Sequence, residues 1–206
     1  KVWFFNGTAN EIYNGQVYRE FSEGQHTITV WANDTARNTN QTQVTFTIDL
    51  SAPTVTFVTP TPTTNSIYNQ SFIDTNVTAT DSSGIDTIIN YIYNSVGSLV
   101  DSQSAKSSNN YYNFTGLTDG VYYINATAND TMNNIGKTET RTITIDTTAP
   151  NIIIESPENI TYGTTTRLIN ISTTDLHLDK VWFFNGTANE IYNGQVYREF
   201  NEGQHT

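Results

Sequence analysis

An almost exact internal repeat constrains this chain more than any other feature. Residues 1–27 and 180–206 differ at one of 27 positions, where Ser22 is replaced by Asn201. A near-identical copy indicates recent tandem duplication and an array of similar units, each packing against its neighbours. The copies are offset by 179 residues, which is the expected period of the array.

A weaker repeat divides that period. TFTIDLSAPTVTFVTP and TITIDTTAPNIIIESP place Pro53 and Pro150 97 residues apart, which leaves 82 residues for the rest of the period. Units of roughly 80–100 residues can hold one modest core. We therefore predict a complete domain at 53–150. It is flanked by the C-terminal part of a related domain at 1–52, from its third to its last strand, and by the N-terminal part of the next copy at 151–206.

Composition excludes several classes of function. The net charge is −11 with nine Lys and Arg, so nucleic acid and anionic membrane surfaces are poor partners. No apolar run approaches the roughly 20 residues that span a bilayer. There is no cysteine, which removes disulfides and thiolate chemistry. No base, nucleophile and orienting group stand in a recognisable arrangement, so we expect no enzyme, no catalytic residue and no cofactor-binding residue.

Alternating apolar and polar residues between Gly, Asn and Asp turns indicate short antiparallel strands. DGVYYINATAND and EGQHTITVWAND share one alternation, and IDTNVTATD and RLINISTTD share another. No helical period exceeds two turns, so the pattern predicts an all-β fold of tandem β-sandwiches joined end to end. The predicted inward residues are Thr75, Val77, Ala79, Tyr122, Ile124, Ala126, Ala128, Ile143 and Ile145 in one domain, and His26, Ile28, Val30, Ala32, Val44, Phe46, Ile48, Ile169, Ile171 and Thr173 in the other.

The motif L-T-D-G-x-Y-x-I-x-A-x-A-x-D, followed by I-D-T-T-A-P, resembles the tandem Ig-like and fibronectin-III-like repeats of bacterial and archaeal cell-surface proteins. The resemblance covers the whole chain and implies Ig-like sandwiches. Tyr122 stands where such a domain has its tyrosine corner, and the sister domain has His26 there. We expect a half-buried His26 to donate one hydrogen bond in place of the tyrosine hydroxyl.

Asn-x-Ser/Thr triplets are dense, and this acceptor pattern belongs to secreted chains. A chain rich in Asn and Thr also forms such triplets by chance. A glycan cannot be buried, and five of the acceptors fall on the outward phase of their strands, which favours N-glycans and, with the lack of cysteine, an extracellular archaeal surface. Those five are Asn33, Asn76, Asn125, Asn129 and Asn170, and the others are Asn6, Asn40, Asn69, Asn113, Asn159 and Asn185.

Aspartates end several predicted strands on one side of the sandwich. Asp49 lies in the incoming linker, while Asp81 and Asp130 follow the second and sixth strands. Hard cations such as Ca²⁺ bind several carboxylate and carbonyl oxygens, so this joint is a predicted calcium site. Asp146 and Asp175 take the same positions at the next joint, with the third carboxylate supplied by the following repeat. The alternative is that each Asp only starts an Asx turn.

An aromatic outer face is predicted on neighbouring strands. Trp31 points outward, and VWFF at residues 2–5 has two apolar phases, of which one must face out. Exposed aromatic patches mark contacts, here with another subunit or with sugar rings. Packing within a wide sheet is the alternative. The predicted contact patch comprises Trp3, Phe5, Trp31 and Trp182.

The pieces at 1–52 and 151–206 are complementary, and neither closes a sandwich alone. Either the chain is a window cut from a continuous array, which we favour, or separate subunits complete each other head to tail. Contacts between successive copies are heterologous in both cases, which gives a filament. We expect residues 151–206 to pack with the equivalent of residues 28–52 from a following copy.

These observations predict a structural repeat protein that forms an extracellular, glycosylated filament, stalk or surface-layer extension. Its partner is another copy, and its short D-x-x-A-P linkers keep the joints extended because proline fixes φ. An adhesin that binds a surface glycan or protein is the alternative, and a viral fibre is a third interpretation. The near-identity of the repeat favours structure, since a receptor-binding tip should be unique.

Overall fold

A computed structural model describes residues 1–5 and 8–203, and every regular element in this part of the chain is a β-strand. The predicted all-β fold is therefore confirmed. The described residues contain no helix that is long and apolar enough to cross a bilayer. One residue of the sequence analysis, the predicted glycosylation acceptor Asn6, lies outside the described residues.

The N-terminal segment forms one antiparallel sheet. Its strands are β1 (Val2–Phe5), β2 (Asn10–Ile12), β3 (Gly24–Asn33) and β4 (Thr39–Ile48), in the order β2-β1-β3-β4. In the described part of the chain no second sheet packs over this one. Its predicted inward residues are accordingly only half-buried or exposed, and Val44 keeps 56% of its surface in contact with solvent.

Residues 54–145 form a closed sandwich of two sheets. One sheet has the order β10-β7-β5, and the other has the order β6-β13-β11-β8-β9 with β12 paired to β11. The strands are β5 (Thr54–Phe57), β6 (Ser66–Tyr68), β7 (Phe72–Thr80), β8 (Ile85–Asn94), β9 (Leu99–Ala105), β10 (Asn109–Thr115), β11 (Gly120–Asp130), β12 (Ile135–Lys137) and β13 (Arg141–Ile145).

The sandwich core follows from the period-2 alternation. Burial alternates residue by residue along β7 and β11, because successive side chains of a strand point to opposite faces. The nine inward residues predicted for this domain are all buried. All of them except Thr75 belong to two adjoining clusters built from both sheets, one around Ile73 and Phe114 and one around Val77 and Ile88.

The tyrosine corner and its histidine replacement are both present. The Tyr122 hydroxyl donates to the carbonyl oxygen of Thr118 at 2.9 Å. In the sister domain His26 Nε2 donates to the carbonyl oxygen of Ser22 at 2.7 Å, and the ring packs against Phe21. Each bond reaches back four residues, so the prediction that His26 replaces the tyrosine hydroxyl is confirmed.

The C-terminal segment forms two small sheets. One has the order β14-β15-β18, and the other pairs β16 with β17. No strand here pairs with β1 to β4 within the described residues. The strands are β14 (Asn151–Ser156), β15 (Thr166–Thr174), β16 (Trp182–Phe184), β17 (Asn189–Ile191) and β18 (Val196–Glu199).

The same four residues take different structures in the two copies of the repeat. VYRE at 196–199 is strand β18, paired with β15, whereas VYRE at 17–20 forms no strand. The sequence is identical, so the difference lies in the neighbour. Backbone hydrogen bonds to β15 stabilise the extended form, and no described strand pairs with residues 17–20.

Backbone packing places a glycine against the linker that enters the closed sandwich. A methyl group on Gly136 would lie 2.0 Å from the carbonyl oxygen of Pro53. We expect Gly136→Ala to lower the free energy of unfolding by about 1–3 kcal/mol, as in other overpacked sites. Urea denaturation measures this. Gly163→Ala is the control, since nothing lies within 4 Å of the position that its methyl group would take. Equal loss of stability in both variants would contradict the expectation.

Candidate metal centre at the first joint

Three aspartates from the linker and from both sheets of the sandwich converge at one end. Asp49 follows β4, Asp81 follows β7, and Asp130 is the last residue of β11. One carboxylate oxygen from each lies within 4.8 Å of the others. The structure therefore brings together the three aspartates that the sequence placed at this joint.

Asp130 is fully buried and is fixed by its own loop. Its Oδ1 accepts from the backbone N–H groups of Met132 and Asn134 at 2.8 and 2.9 Å, and its Oδ2 accepts from Asn134 Nδ2 at 2.8 Å. Burial raises the pKa of the Asp130 carboxyl, but the bonds from Asn134 and from backbone N–H groups outweigh it, so the pKa lies below its ordinary value. The side chain is held as a carboxylate.

The loop around Asp130 is itself repeated. NDTMNN at 129–134 and NDTARN at 33–38 have the same geometry, with Asp34 Oδ1 accepting from the Asn38 N–H at 2.8 Å. Asn133 and Arg37 both have φ of 70°. The loop thus occurs in both domains, at the end of β3 and at the end of β11, and in each it presents one ionised aspartate.

Asp49 ties the linker to the sandwich and leaves one oxygen free. Its Oδ1 accepts from the Ser51 N–H at 3.1 Å, and its backbone carbonyl accepts from Asn134 Nδ2 at 3.3 Å. Its Oδ2 is buried and has no hydrogen-bond partner among the described residues. A buried, unpaired carboxylate oxygen is costly, which makes this atom the feature of the joint that most needs a cation.

Asp81 completes the group from the other sheet. Its Oδ1 accepts from the N–H and the hydroxyl of Ser83 at 2.8 and 2.9 Å, which is an Asx turn. The Asx-turn alternative and the metal interpretation are therefore compatible, since an ionised carboxylate has lone pairs left for both.

The donor set fits a hard divalent cation. Ca²⁺ binds oxygens at 2.3–2.6 Å, so oxygens of one coordination shell lie up to about 5 Å apart. Three carboxylates this close repel one another in partly buried surroundings, and a cation would remove that repulsion. Asp49, Asp81 and Asp130 would hold it, with further oxygens needed from carbonyl groups or water. Zinc is a poorer match, because there is no His or Cys ligand in the group.

The second joint is built differently. Asp146 and Asp175 do not meet a third carboxylate in the described part of the chain. His177 lies between them instead. Its Nδ1 lies 2.6 Å from Asp146 Oδ2, and its backbone N–H donates to Asp175 Oδ1 at 2.7 Å. His177 takes the position that Ser83 has at the first joint, so it pairs with the counterpart of the free oxygen of Asp49.

Sequence reasoning missed the carboxylates that hold each linker from the side. Asp119 accepts from the hydroxyl groups of Thr147 and Thr148, both at 2.6 Å, and from the Thr147 N–H at 2.9 Å. At the first joint Glu23 accepts from the Ser51 hydroxyl in the same way. The sequence does carry a signal for these carboxylates. An acidic residue directly precedes glycine at the same point of both domains, as Asp119 in one and Glu23 in the other.

The bond network around Asp119 predicts a second joint that is sensitive to acid. Hydrogen bonds from Thr147 and Thr148 lower the pKa of Asp119 from 3.8 to about 2. A depressed pKa stabilises the fold above the unfolded value, and this contribution disappears as the pH falls through the folded value. We expect the melting temperature to fall between about pH 4 and pH 2, and to fall less in Asp119→Asn. Identical pH profiles in the two proteins, measured by circular dichroism, would count against this.

The predicted glycosylation acceptors are accessible. None of the ten that are described is buried; the five outward-phase residues are half-buried, and Asn40, Asn69 and Asn159 are exposed. Some side-chain amides are engaged, as in Asn76 Nδ2, which donates to the Thr59 carbonyl at 2.8 Å. Accessibility is a requirement for a glycan, and whether the acceptors carry one stays a prediction.

The strand pairing shows which aromatic residues of β1 and β3 face outward. Trp3 pairs directly with Trp31 across β1 and β3, while Phe4 pairs with Val30 and is 8% exposed. Phe4 therefore faces inward, and Trp3, Phe5 and Trp31 share the outer face, where they are half-buried. Trp182 in the second copy is 61% exposed. That this patch makes contacts stays a prediction.

Comparison with known proteins gives the family. Residues 13–110 and 106–180 match the family described as Bacterial Ig-like domain (group 3), which together is more than half of the chain. The chain belongs to this family. Bacterial Ig-like domains are typically non-catalytic, in keeping with the absence of a recognisable catalytic arrangement in the sequence. The two matched segments overlap and cross the boundaries at 53 and 150, so the three predicted domain spans stay a prediction.

Solved structures resemble the chain only distantly. The fibronectin(III)-like modules of Clostridium thermocellum CbhA are 15% identical with a TM-score of 0.38, over 73% of this chain and 80% of theirs. A tetra-tandem repeat in the extending region of a large adhesion protein is 16% identical with a TM-score of 0.39, over 97% of this chain and 57% of that one. Dimeric latent PorU from Porphyromonas gingivalis is 13% identical with a TM-score of 0.36, over 61% and 12%. No curated protein matches the chain.

Proposed function

We propose that this chain is a segment of an extracellular structural array, a filament, stalk or surface-layer extension, in which Ca²⁺ stiffens the joints between Ig-like domains. The observation that supports it is the convergence of Asp49, Asp81 and Asp130 to within 4.8 Å. Asp49 belongs to the linker that leaves one sheet, and the other two belong to the next sandwich. A cation bound by all three would link consecutive units directly.

The linker is short, and the cation would add to the contacts that already hold it through Ser51 and Pro53. Between β4 and β5 it runs only from residue 49 to residue 53, and Asn134 contacts it through the Asp49 carbonyl. Without a cation, repulsion between the three carboxylates favours their separation. With a cation, the same charges favour one closed geometry. Rigidity of the joint would then depend on the high calcium concentration found outside cells.

Calcium should stabilise the folded protein by mass action, because the site exists only when the units are folded. We expect the melting temperature to rise when Ca²⁺ is added and to return with EDTA. Asp81→Asn should weaken calcium affinity about tenfold or more while keeping the Oδ1 that accepts from Ser83. Isothermal titration calorimetry measures the affinity.

The matched control is Asp86→Asn. Asp86 is an exposed carboxylate on β8, five residues from Asp81, and its Oδ2 accepts from the Thr87 hydroxyl. It should bind calcium as the unchanged chain does. A melting temperature that is indifferent to both Ca²⁺ and EDTA, or equal affinities in the two variants, would sink the calcium site.

Glycosylation is the second part of the proposal. We expect N-glycans most surely at Asn33, Asn76, Asn125, Asn129 and Asn170, which lie on outward strand phases and are not buried. Mass spectrometry of peptides from the native source tests this, and unmodified Asn at all five would reject it. Protein made in a host without the modification gives the matched unglycosylated control. The family does not decide the source organism, so an archaeal surface stays a prediction.

A further inference from the structure

Three neighbouring tyrosines lie on the outer face of the closed sandwich. Tyr123 on β11 lies directly opposite Tyr93 on β8, and Tyr91 precedes Tyr93 by two residues on the same strand. The rings of Tyr91 and Tyr93 stack with their centroids 6.1 Å apart and an interplanar angle of 27°. All three side chains are half-buried, on the face opposite the core residues Ile92 and Ile124. Tyr91, Tyr93 and Tyr123 together form the tyrosine platform.

A glycosylation acceptor stands on the same face. Asn125 follows Tyr123 by two residues and lies directly opposite Tyr91 across the strand pair. Residues two apart on a strand point to one face, and directly opposed residues have Cβ atoms about 4.5–5.5 Å apart. Thr127, whose hydroxyl completes the Asn-x-Thr triplet, is the next residue on that face. A sugar attached to Asn125 Nδ2 therefore begins beside two tyrosine rings.

The amide of Asn125 is only weakly held by the protein. Its Nδ2 lies 3.4 Å from the Thr140 hydroxyl, which is the upper limit for a hydrogen bond. Tyr111 and Asn113 have the same two-residue spacing on β10, but both side chains donate to Asp74 Oδ1, at 2.8 and 2.9 Å. Attachment of a sugar to Asn125 therefore disrupts less of the existing structure than attachment to Asn113.

The sister domain links the aromatic residue to the acceptor. Strand β3 has Thr27 and Thr29 at the positions equivalent to Tyr123 and Asn125, so the ring and the acceptor are both missing there. Further along β3 a tryptophan precedes an acceptor by two residues, in the sequence WANDT at 31–35. Each of the two equivalent strands thus carries one aromatic-x-Asn-x-Thr sequence on its outer face.

The chemistry of a sugar ring fits this surface. A pyranose has an apolar face of C–H groups and a rim of hydroxyl groups. The C–H face packs on an aromatic ring because the face of the ring carries partial negative charge, and the hydroxyl rim stays in contact with water. The tyrosine platform offers such ring surface next to the point of attachment.

We propose that an N-glycan on Asn125 folds back onto the tyrosine platform, with its first sugar stacked on Tyr123 and flanked by Tyr91. This deepens the proposed function and rests on its glycosylation part. The glycan is then an ordered element of the outer sheet face. It stabilises the folded domain, because the platform exists only when β8 and β11 are paired.

A double-substitution cycle separates the stacking from the attachment of the glycan. The full chain, Asn125→Gln, Tyr123→Thr and the double variant are secreted from a host that glycosylates Asn-x-Thr, and the same four proteins are made in a host that does not. Tyr123→Thr introduces the residue of the sister domain and leaves the triplet intact. We expect the glycan on Asn125 to raise the melting temperature by about 3 °C or more beside Tyr123, and by less than about half of that beside threonine.

Asn129 supplies the matched control on the same strand. It is the next acceptor along β11, but Thr127 and not an aromatic residue stands two positions before it. Asn129→Gln should therefore change the melting temperature equally in protein from the two hosts. A glycan on Asn129 that stabilises the chain as much as the glycan on Asn125 would contradict stacking on tyrosine.

Nuclear magnetic resonance gives a direct readout of the contact. Protons above an aromatic ring are shielded, so we expect upfield shifts and nuclear Overhauser contacts between the first sugar on Asn125 and the Tyr123 ring, both lost in Tyr123→Thr. A modified Asn125 without these signals would overturn the stacking and leave glycosylation intact.

Peptide mass spectrometry of protein from the native source separates this inference from the proposed function. We expect Asn125 to be modified. If Asn125 is unmodified while other acceptors carry glycans, this inference alone is wrong. If all five outward-phase acceptors are unmodified, the glycosylation part of the proposed function is wrong as well.

Discussion

A β-sheet with one apolar face is stable only when a second layer covers that face, and the rest of this structure depends on that requirement. Between β5 and β13 the requirement is met inside one segment, and residues such as Ile73 and Ile124 are fully buried. The same alternation in β3 and β14 leaves Ile28 half-buried and Ile152 exposed. The chemistry of the strands is the same, and only the presence of the opposing sheet differs.

Sandwich closure also creates the joint. When two sheets pack, the loops that follow β7 and β11 come to the same end, and the linker enters between them. Asp81 and Asp130 stand where those loops begin, and both accept Asx-type bonds from backbone N–H groups that fix the carboxylates in place. An aspartate that starts a turn thus also becomes part of the three-carboxylate cluster. The turn alone explains Asp81 and Asp130, but it does not explain why the third aspartate, Asp49, has a buried oxygen that no described residue bonds.

Much of the fold and of the candidate metal site could be predicted from the sequence, because two of its signals are local. Period-2 alternation fixed which residues of β7 and β11 face inward, and strand-end aspartates plus sandwich topology placed the carboxylates together. The role of His26 could be predicted because the aligned strands place it at the position of Tyr122. In the structure both side chains bond to a carbonyl group four residues earlier. The hydrogen bonds that Asp119 accepts from the linker could not be predicted from the sequence. They depend on how the loop before β11 is placed beside residues 147 and 148 at the end of the domain.

The two copies of VYRE show the limit of local signals most directly. Identical residues form β18 at 196–199 and no strand at 17–20, so propensity cannot be the cause. The joints show the same limit, because Ser83 and His177 occupy equivalent turns yet Ser83 bonds within its own turn and His177 reaches Asp146. At the second joint the linker carboxylate is therefore paired with an imidazole, whereas its counterpart at the first joint, Asp49 Oδ2, has no hydrogen-bond partner among the described residues. An array with this two-domain period would alternate two chemically different joints, and its flexibility would vary along the axis with the same period.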